Sequence, residues 1–320
     1  MYIGWDIEIP LFTKGGKLFL PHEEGGIARE LKFFSPLSPT TFNPSLQYHT
    51  DGIMLELNPS PGTCREAAAT RITQISQILM STIQPMFGNA VVARPIPVVF
   101  LNVTTLRRCR SESLLLGCNY SLNAYTEERE SPTESTWHGK EFRSAAGHIH
   151  FDATAFNIHP KDYPERVKAL DRWLGTLSVL LAPYPNSERI RRTQYGRAGS
   201  YRVQPHGLEY RTMSNMVIAS PYIYSLLQKV GRAVVHNPDL WKTDIPDAHI
   251  QDVVNGVRIP EARQIYRGQL RPLLAAQESG GSMILLDWLI KGNIQKIIPD
   301  KARRSLLSYW GGISEQKLGW

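Results

Sequence analysis

A chain of 320 residues can hold one large α+β domain or two smaller ones, and 42% hydrophobic against 20% charged residues excludes an intrinsically disordered chain. The net charge of +7, from 36 basic and 29 acidic residues, is mild and suits an anionic ligand as well as nucleic acid. Three cysteines (Cys64, Cys109, Cys118) without a CxxC pair point to a reducing compartment and away from a disulfide framework or a zinc ribbon.

Met1 to Pro10 carries two acids and no apolar h-region, so it does not read as a signal peptide. No run approaches the roughly 18 apolar residues of a membrane span. There is no GxxxxGK[ST] phosphate loop, because Lys14-Gly15-Gly16-Lys17 lacks its spacing. The first strand, Tyr2 to Ile9, alternates and puts Asp6 and Glu8 on one face. Leu11 to Leu20 is expected to be its hairpin partner, turned at Gly15-Gly16. Ser35 to Ser45, with three prolines, reads as loop. Asp51-Gly52 is a turn that launches the apolar strand Ile53 to Leu57, which carries one acid, Glu56. Thr63 and Glu66 make a capping box for a helix of about 20 residues whose apolar stripe (Ile72, Ile75, Ile78, Leu79, Ile83) is expected to pack on the sheet. Val91 to Val103 reads as a buried strand interrupted by proline. Asn123 to Arg143 is polar and turn-rich, either a solvated loop or a lid over a site. Gly147 to Phe151 puts His148 and His150 on one face. Asp162 to Ala182 is a helix with Pro164 in its first turn and Val167, Leu170, Trp173, Leu174, Leu177, Leu180 and Leu181 on its apolar face.

Arg191 to Ser214 contains five arginines (Arg191, Arg192, Arg197, Arg202, Arg211) and no lysine. A guanidinium grips phosphate or carboxylate through two bonds, whereas lysine is a mobile point charge. The run ends in a strand-like alternation that puts Glu209 and Arg211 on one face. From Asn215 onward the pattern is helical: Met216 to Val235, Ala248 to Val257, Pro260 to Ala276, Ser282 to Ile290 and Lys301 to Tyr309. Residues 215–320 are therefore expected as a helical C-terminal region packed on the same domain as the 1–214 core. The acid-, histidine- and arginine-bearing strands are expected in one sheet, lining one concave surface. Carboxylates crowded there repel one another, and a bound divalent cation relieves that conflict; Mg²⁺ in particular suits carboxylates plus nucleotide phosphates.

An acid-x-acid first strand, an HxH strand, RxxxxR and then ExR, with the block YGRAGSYRVQPHGLEYRTMS, resemble the phage-encoded carboxylate–amine ligases (amidoligases) of the glutamine-synthetase-like superfamily. The resemblance covers about residues 1–214. It implies an α+β catalytic domain with a mainly antiparallel sheet, a concave active-site face and helices packed on the other side. It implies Mg²⁺, or Mn²⁺, held by Asp6, Glu8, Glu56, His148 and Glu209, and ATP phosphates met by His150. Arg197 and Arg202 match the pair that clamps the transferring phosphate, and Arg211 a substrate- or phosphate-binding arginine. Many relatives have Glu where this chain has Asp6. Synthetases often carry an arginine where this chain has Gly207, so the clamp is thinner or Arg192 substitutes. The separate N-terminal domain of glutamine synthetase has no equivalent, so its dodecamer does not carry over and the oligomeric state stays open.

The implied reaction is ATP-dependent amide formation through an acyl phosphate, between small-molecule or peptide carboxylate and amine substrates. Asp51, beside its glycine turn, is a candidate acceptor for the amine proton, with a plain turn former as the alternative. The family's phage residence implies the host bacterial cytoplasm. Two rival readings are a phosphotransferase on the same fold and a basic, non-catalytic nucleic-acid-binding protein. Tyr195, Tyr201 and Tyr210 favour the latter, but the lysine-free run and the acids argue against it.

Overall fold

Strand β1 (Ile3–Ile9) shows how the sheet is sorted: Ile3, Trp5 and Ile7 are buried on one face, while Gly4, Asp6 and Glu8 alternate with them toward the other. The computed structural model describes residues 3–21, 32–34, 46–59, 61, 91–109, 120–130, 136–154, 157–275, 284 and 286–293. After β1 come β2 (Leu11–Thr13), β3 (Leu18–Phe19), β4 (Lys32–Phe34), β5 (Leu46–Asp51), β6 (Met54–Asn58), β7 (Val91–Ala93) and β8 (Val98–Phe100). Then follow β9 (Ser121–Asn123), β10 (Arg129–Glu130), β11 (Thr136–Trp137), β12 (Lys140–Ser144), β13 (Gly147–Asp152), β14 (Ser200–Gln204) and β15 (Gly207–Tyr210).

Nine of these form the main sheet, in the order β10-β9-β14-β15-β13-β1-β6-β5-β4. Every neighbouring pair is antiparallel. The register sets Asp6 opposite His148, Glu8 opposite Glu56, His150 opposite Glu209, and Glu209 opposite Arg202. Because side chains alternate, these all share one face.

The other face is apolar. Ile149, Phe151, Leu208, Tyr210, Leu55 and Leu57 are buried in the core with the helical stretch 163–180, which supplies Val167, Leu170, Trp173, Leu174 and Leu177. Pro164 sits in its first turn, and a π-helical turn, Asp171–Gly175, interrupts it. The helix Pro221–His236 lies against both layers: a side chain at Gly231 would meet Leu174, Ile149 and Phe151. Trp173 donates its indole N–H to the Leu240 carbonyl at 2.7 Å. The helices Asp247–Gly256 and Ile259–Ile265 add Ile250, Val253, Val254 and Ile265 to the same core. Side chains from before and after residue 214 thus share one hydrophobic core. No helix of the described residues is long and apolar enough to cross a membrane.

Several elements differ from the sequence reading. The turn at Gly16 does close a hairpin, but β2 lies between β3 and β7 in a separate sheet and not in the main one. Val91 to Val103 is not one strand: Pro95 and Pro97 split it into β7 and β8, which join different sheets, and Val103 opens a helix, Val103–Arg108. The polar stretch 123–143 is not a plain loop, for it contributes to β9, β10, β11 and β12; its charged residues hide the period-two signal. The helix Pro185–Arg191 takes the start of the arginine run, and the strand β14 was not foreseen. The proposed loop 35–45, the helix after Thr63 and the helix from Lys301 lie outside the described residues.

Gly147 is where β13 passes closest to the chain behind it. A Cβ there would lie 2.4 Å from the Ser214 carbonyl oxygen and 2.6 Å from a Val217 methyl. Backbone cannot yield as a side-chain tip can, so Gly147→Ala should cost about 1–3 kcal/mol of stability or more. Urea unfolding of the variant checks this; the far-UV spectrum of the folded variant should be unchanged.

Candidate active site

Glu209 is fully buried at the middle of the polar face, between two guanidiniums and two neutral polar side chains. Arg202 donates to it in a fork, Nε to Oε2 and Nη2 to Oε1, each at 2.9 Å. Gln204 donates to Oε2 at 2.5 Å, His148 Nδ1 lies 3.1 Å from Oε1, and Arg211 Nε lies 3.5 Å from it. Burial alone would raise the Glu209 pKa, but His148, Arg211 and Arg202 outweigh it and hold the group well below the usual carboxylate range.

His148 is bound on both sides. Nδ1 faces Glu209, and Nε2 meets the Tyr195 hydroxyl at 2.9 Å. Burial first, and the charge of Arg211 second, pull its pKa down to about 4, so it is neutral at pH 7. His150 sits one step along, with Nε2 at 2.7 Å from Asp6 Oδ2 and Nδ1 at 3.0 Å from His206 Nε2. For this pair attraction wins over burial. Burial would lower His150, yet Asp6 raises it; burial would raise Asp6, yet His150 lowers it. The amide of Asn58 donates to both Asp6 Oδ1, at 2.7 Å, and Glu56 Oε1, at 2.8 Å.

Farther along β1 the balance reverses. Glu8, Asp51 and Glu56 offer carboxylate oxygens that lie within 4.8 Å of one another. Burial, then the charges of Asp51 and Glu56, push Glu8 well above its ordinary pKa, and one N–H, from Ala146 at 2.7 Å, offsets only part of that. Three hard oxygen donors that repel one another are a donor set for a hard divalent cation such as Mg²⁺ or Mn²⁺. Asp51, the candidate acceptor for the amine proton, stands in this cluster of acids.

The arginine run divides by position. Arg202 and Arg211 reach the polar face. Arg191 is buried and donates to the carbonyls of Thr212, at 2.9 Å, and Met213, at 2.7 Å. Arg192, read as a substitute phosphate clamp, is likewise buried, and it donates to the Val254 carbonyl and, at 2.7 Å, to the Ser178 hydroxyl on the helical side. The structure thus gives it a scaffold position away from the polar face. Arg197 is exposed, with its guanidinium on the carbonyls of Arg192 and Thr193 in its own loop. Behind the sheet, buried Asp171 accepts from Tyr210 Oη at 2.6 Å, Gly199 N at 2.5 Å and Thr212 Oγ1 at 3.1 Å, which fastens the end of that loop; burial raises its pKa to about 6 despite these bonds.

Four site residues escaped the sequence reading: Asn58, Tyr195, Gln204 and His206. Gln204 was within reach, because it shares a face with Arg202 once residues 200–204 are taken as a strand. Tyr195 and His206 reach the site from loops, where no period exists to read.

Residues 138–254 match the model of the phage phiEco32-like COOH.NH2 ligase-type 2 family. That segment runs from the turn between β11 and β12 to the helix Asp247–Gly256 and makes up a little over a third of the chain. Among solved structures the chain is similar to a bifunctional glutathione synthetase from Pasteurella multocida, with 10% identity and a TM-score of 0.50, covering 99% of this chain and 51% of that one. The chain thus spans about half the length of that relative, and the likeness is one of fold. A comparison with curated proteins gave no match.

The neutral state of His148 has a stability signature. Its folded pKa, about 4, lies below the ordinary 6.5, so the unfolded chain takes up a proton first as pH falls. Stability should therefore drop between pH 6.5 and pH 4, by about 3 kcal/mol from this group. In EDTA-treated protein, His148→Gln should lose correspondingly less across that window in urea titrations; an acid limb identical to wild type would refute the assignment.

Proposed function

We propose, for a chain whose residues 138–254 match a carboxylate–amine ligase family, that it joins a carboxylate to an amine at the expense of ATP, through an acyl phosphate, on a glutamine-synthetase-like catalytic domain. The observation that supports this most is the register that sets acids, imidazoles and guanidiniums side by side on one polar face. A carboxylate resists an amine because it is anionic and delocalised. Phosphorylation gives it a leaving group, and that step asks the protein for in-line positioning and for positive charge facing the transferring group.

The cation sites would be Glu8, Asp51 and Glu56 at one end, and Asp6, His148 and Glu209 near the centre. Mg²⁺ or Mn²⁺ held there would supply positive charge to offset the carboxylates and the nucleotide phosphates. We assign Asp51 to the cation set, where its two acidic neighbours stand, and leave the amine's proton acceptor open. His150, held by Asp6 and His206, would meet the nucleotide phosphates. Arg202 and Arg211 would face the transferring phosphoryl group. For Arg202 to do so, its fork on Glu209 must open, so that each partner exchanges one bidentate charge contact for another. The substrates would be small-molecule or peptide carboxylates and amines. Host extract incubated with the protein and ATP, with EDTA as control, should yield adducts short of one water by mass spectrometry; ATP turnover without any such product would overturn the amide-forming step.

Two substitutions probe the centre of the face. Glu209→Gln keeps volume but removes a ligand charge, and should reduce ATP turnover at least about 100-fold. Arg202→Lys keeps charge but loses the planar fork, and should lower kcat by on the order of 10²–10³ with little change in KM. A melting temperature below wild type with near-normal kcat would leave Arg202 only its ion pair with Glu209.

A further inference from the structure

The ligase reading leaves the amine without a binding place, and one acid of the polar face without a task. Tyr201 and Tyr210 face each other on the core side of β14 and β15. The next pair, Ser200 and Arg211, therefore turns to the polar face, and the Arg211 backbone N–H bonds to the Ser200 carbonyl at 2.9 Å. β9 sets Asn123 opposite Ser200. β10 sets Glu130 opposite Ser121, two residues from Asn123 and so on the same face. The Glu130 side chain reaches back across β9 to β14. Asn123 Nδ2 donates to its Oε1 at 2.9 Å, and Ser200 Oγ donates to its Oε2 at 3.2 Å. Asn123 and Ser200 are buried, whereas Glu130 is half-buried. These bonds leave the carboxylate about two of its roughly four acceptor positions.

Charge decides where an amine can dock, because it arrives as an ammonium group. Cations held by Glu8, Asp51 and Glu56 would repel it, and Glu209 is taken up by the guanidiniums of Arg202 and Arg211. Asp152, at the end of β13, accepts from Thr154 N in its own turn. Glu130 lies on the opposite side of those two arginines from the acid cluster, since β10 and β9 stand beyond β14 and β15 in the sheet order. We propose that Glu130, held by Ser200 and Asn123, is the subsite for the ammonium group of the amine substrate and the acceptor of its proton. The proposal rests on the ligase reading. The Glu130 carboxylate takes one proton, and the freed nitrogen lone pair forms the C–N bond to the acyl carbon. The bond from that carbon to the phosphate oxygen breaks, and phosphate leaves with the electron pair and the second amine proton.

The test gives the small-molecule fraction of host extract and ATP, with and without hydroxylamine, to the full chain and to its Glu130→Gln and Glu130→Asp variants. Hydroxylamine is largely unprotonated at pH 7 and traps an acyl phosphate without help from a base, so it reports the phosphorylation step alone. Glu130→Gln should lower the yield of water-short adducts at least about 100-fold, and the loss of hydroxamate should be smaller by at least about tenfold. Glu130→Asp keeps the charge but draws it back by one methylene, and should show the same split by a smaller factor. Adducts at the wild-type level in both variants overturn the subsite and leave the ligase reading standing. An equal loss of adducts and hydroxamate in either variant also overturns it, since Glu130 would then serve the fold or the phosphorylation step. A wild type that yields no adducts overturns the amide-forming step and the subsite together.

Discussion

Strand β13 lies between β1 and β15, and its period of two sorts everything around it. Ile149 and Phe151 point into the core, while His148 and His150 point to the polar face. Its antiparallel neighbours then bring Asp6 to His148 and Glu209 to His150. A slip of one residue would drive two imidazoles into an apolar layer and lift two large hydrophobic side chains out of it. The core therefore enforces the register, and the register composes the site. Gly147 makes this possible at the start of the strand, where the backbone of Ser214 comes too near for any side chain.

The polar face is electrically uneven. Around Glu209 the cationic groups outnumber the acid, and the carboxylate is held far down in its titration. Around Glu8 three acids meet with little to balance them, and Glu8 is pushed up. At one end the protein's own guanidiniums outweigh burial, and at the other burial and the neighbouring carboxylates outweigh the Ala146 N–H and the charge of Arg191. That polarity fits a site that draws a cation to its acidic end and presents arginine to an anion at its centre.

Arginine serves two separate purposes in the 191–211 run. The same planar fork that can grip phosphate also fits two carbonyl oxygens at once. Arg191 uses it that way on Thr212 and Met213, and Arg192 spans the Val254 carbonyl and the Ser178 hydroxyl, so both tie buried chain crossings. Composition is blind to the difference. What separates a scaffold arginine from a site arginine is which side of the sheet its backbone lies on.

The strand alternation made much of the sheet's inner half readable from the sequence: Asp6 and Glu8, Glu56, His148 and His150, and Glu209 with Arg211 all share the face that their period assigned. The helix over residues 163–180 was equally legible, because its apolar positions recur at helical spacing and its proline falls in the first turn. Such signals are local, and the backbone geometry that reads them is the same in any fold. What the sequence could not determine is which strands are neighbours, since pairing joins segments far apart in the chain. Only that pairing decided that Asp51 stands with Glu8 and Glu56, that Arg192 faces the helices, and that Val91 to Val103 parts into two sheets. Tyr195 and His206 were hidden for the same reason: a loop has no repeat to betray where its side chains point, and its end point is fixed by the partners that tertiary structure brings within reach.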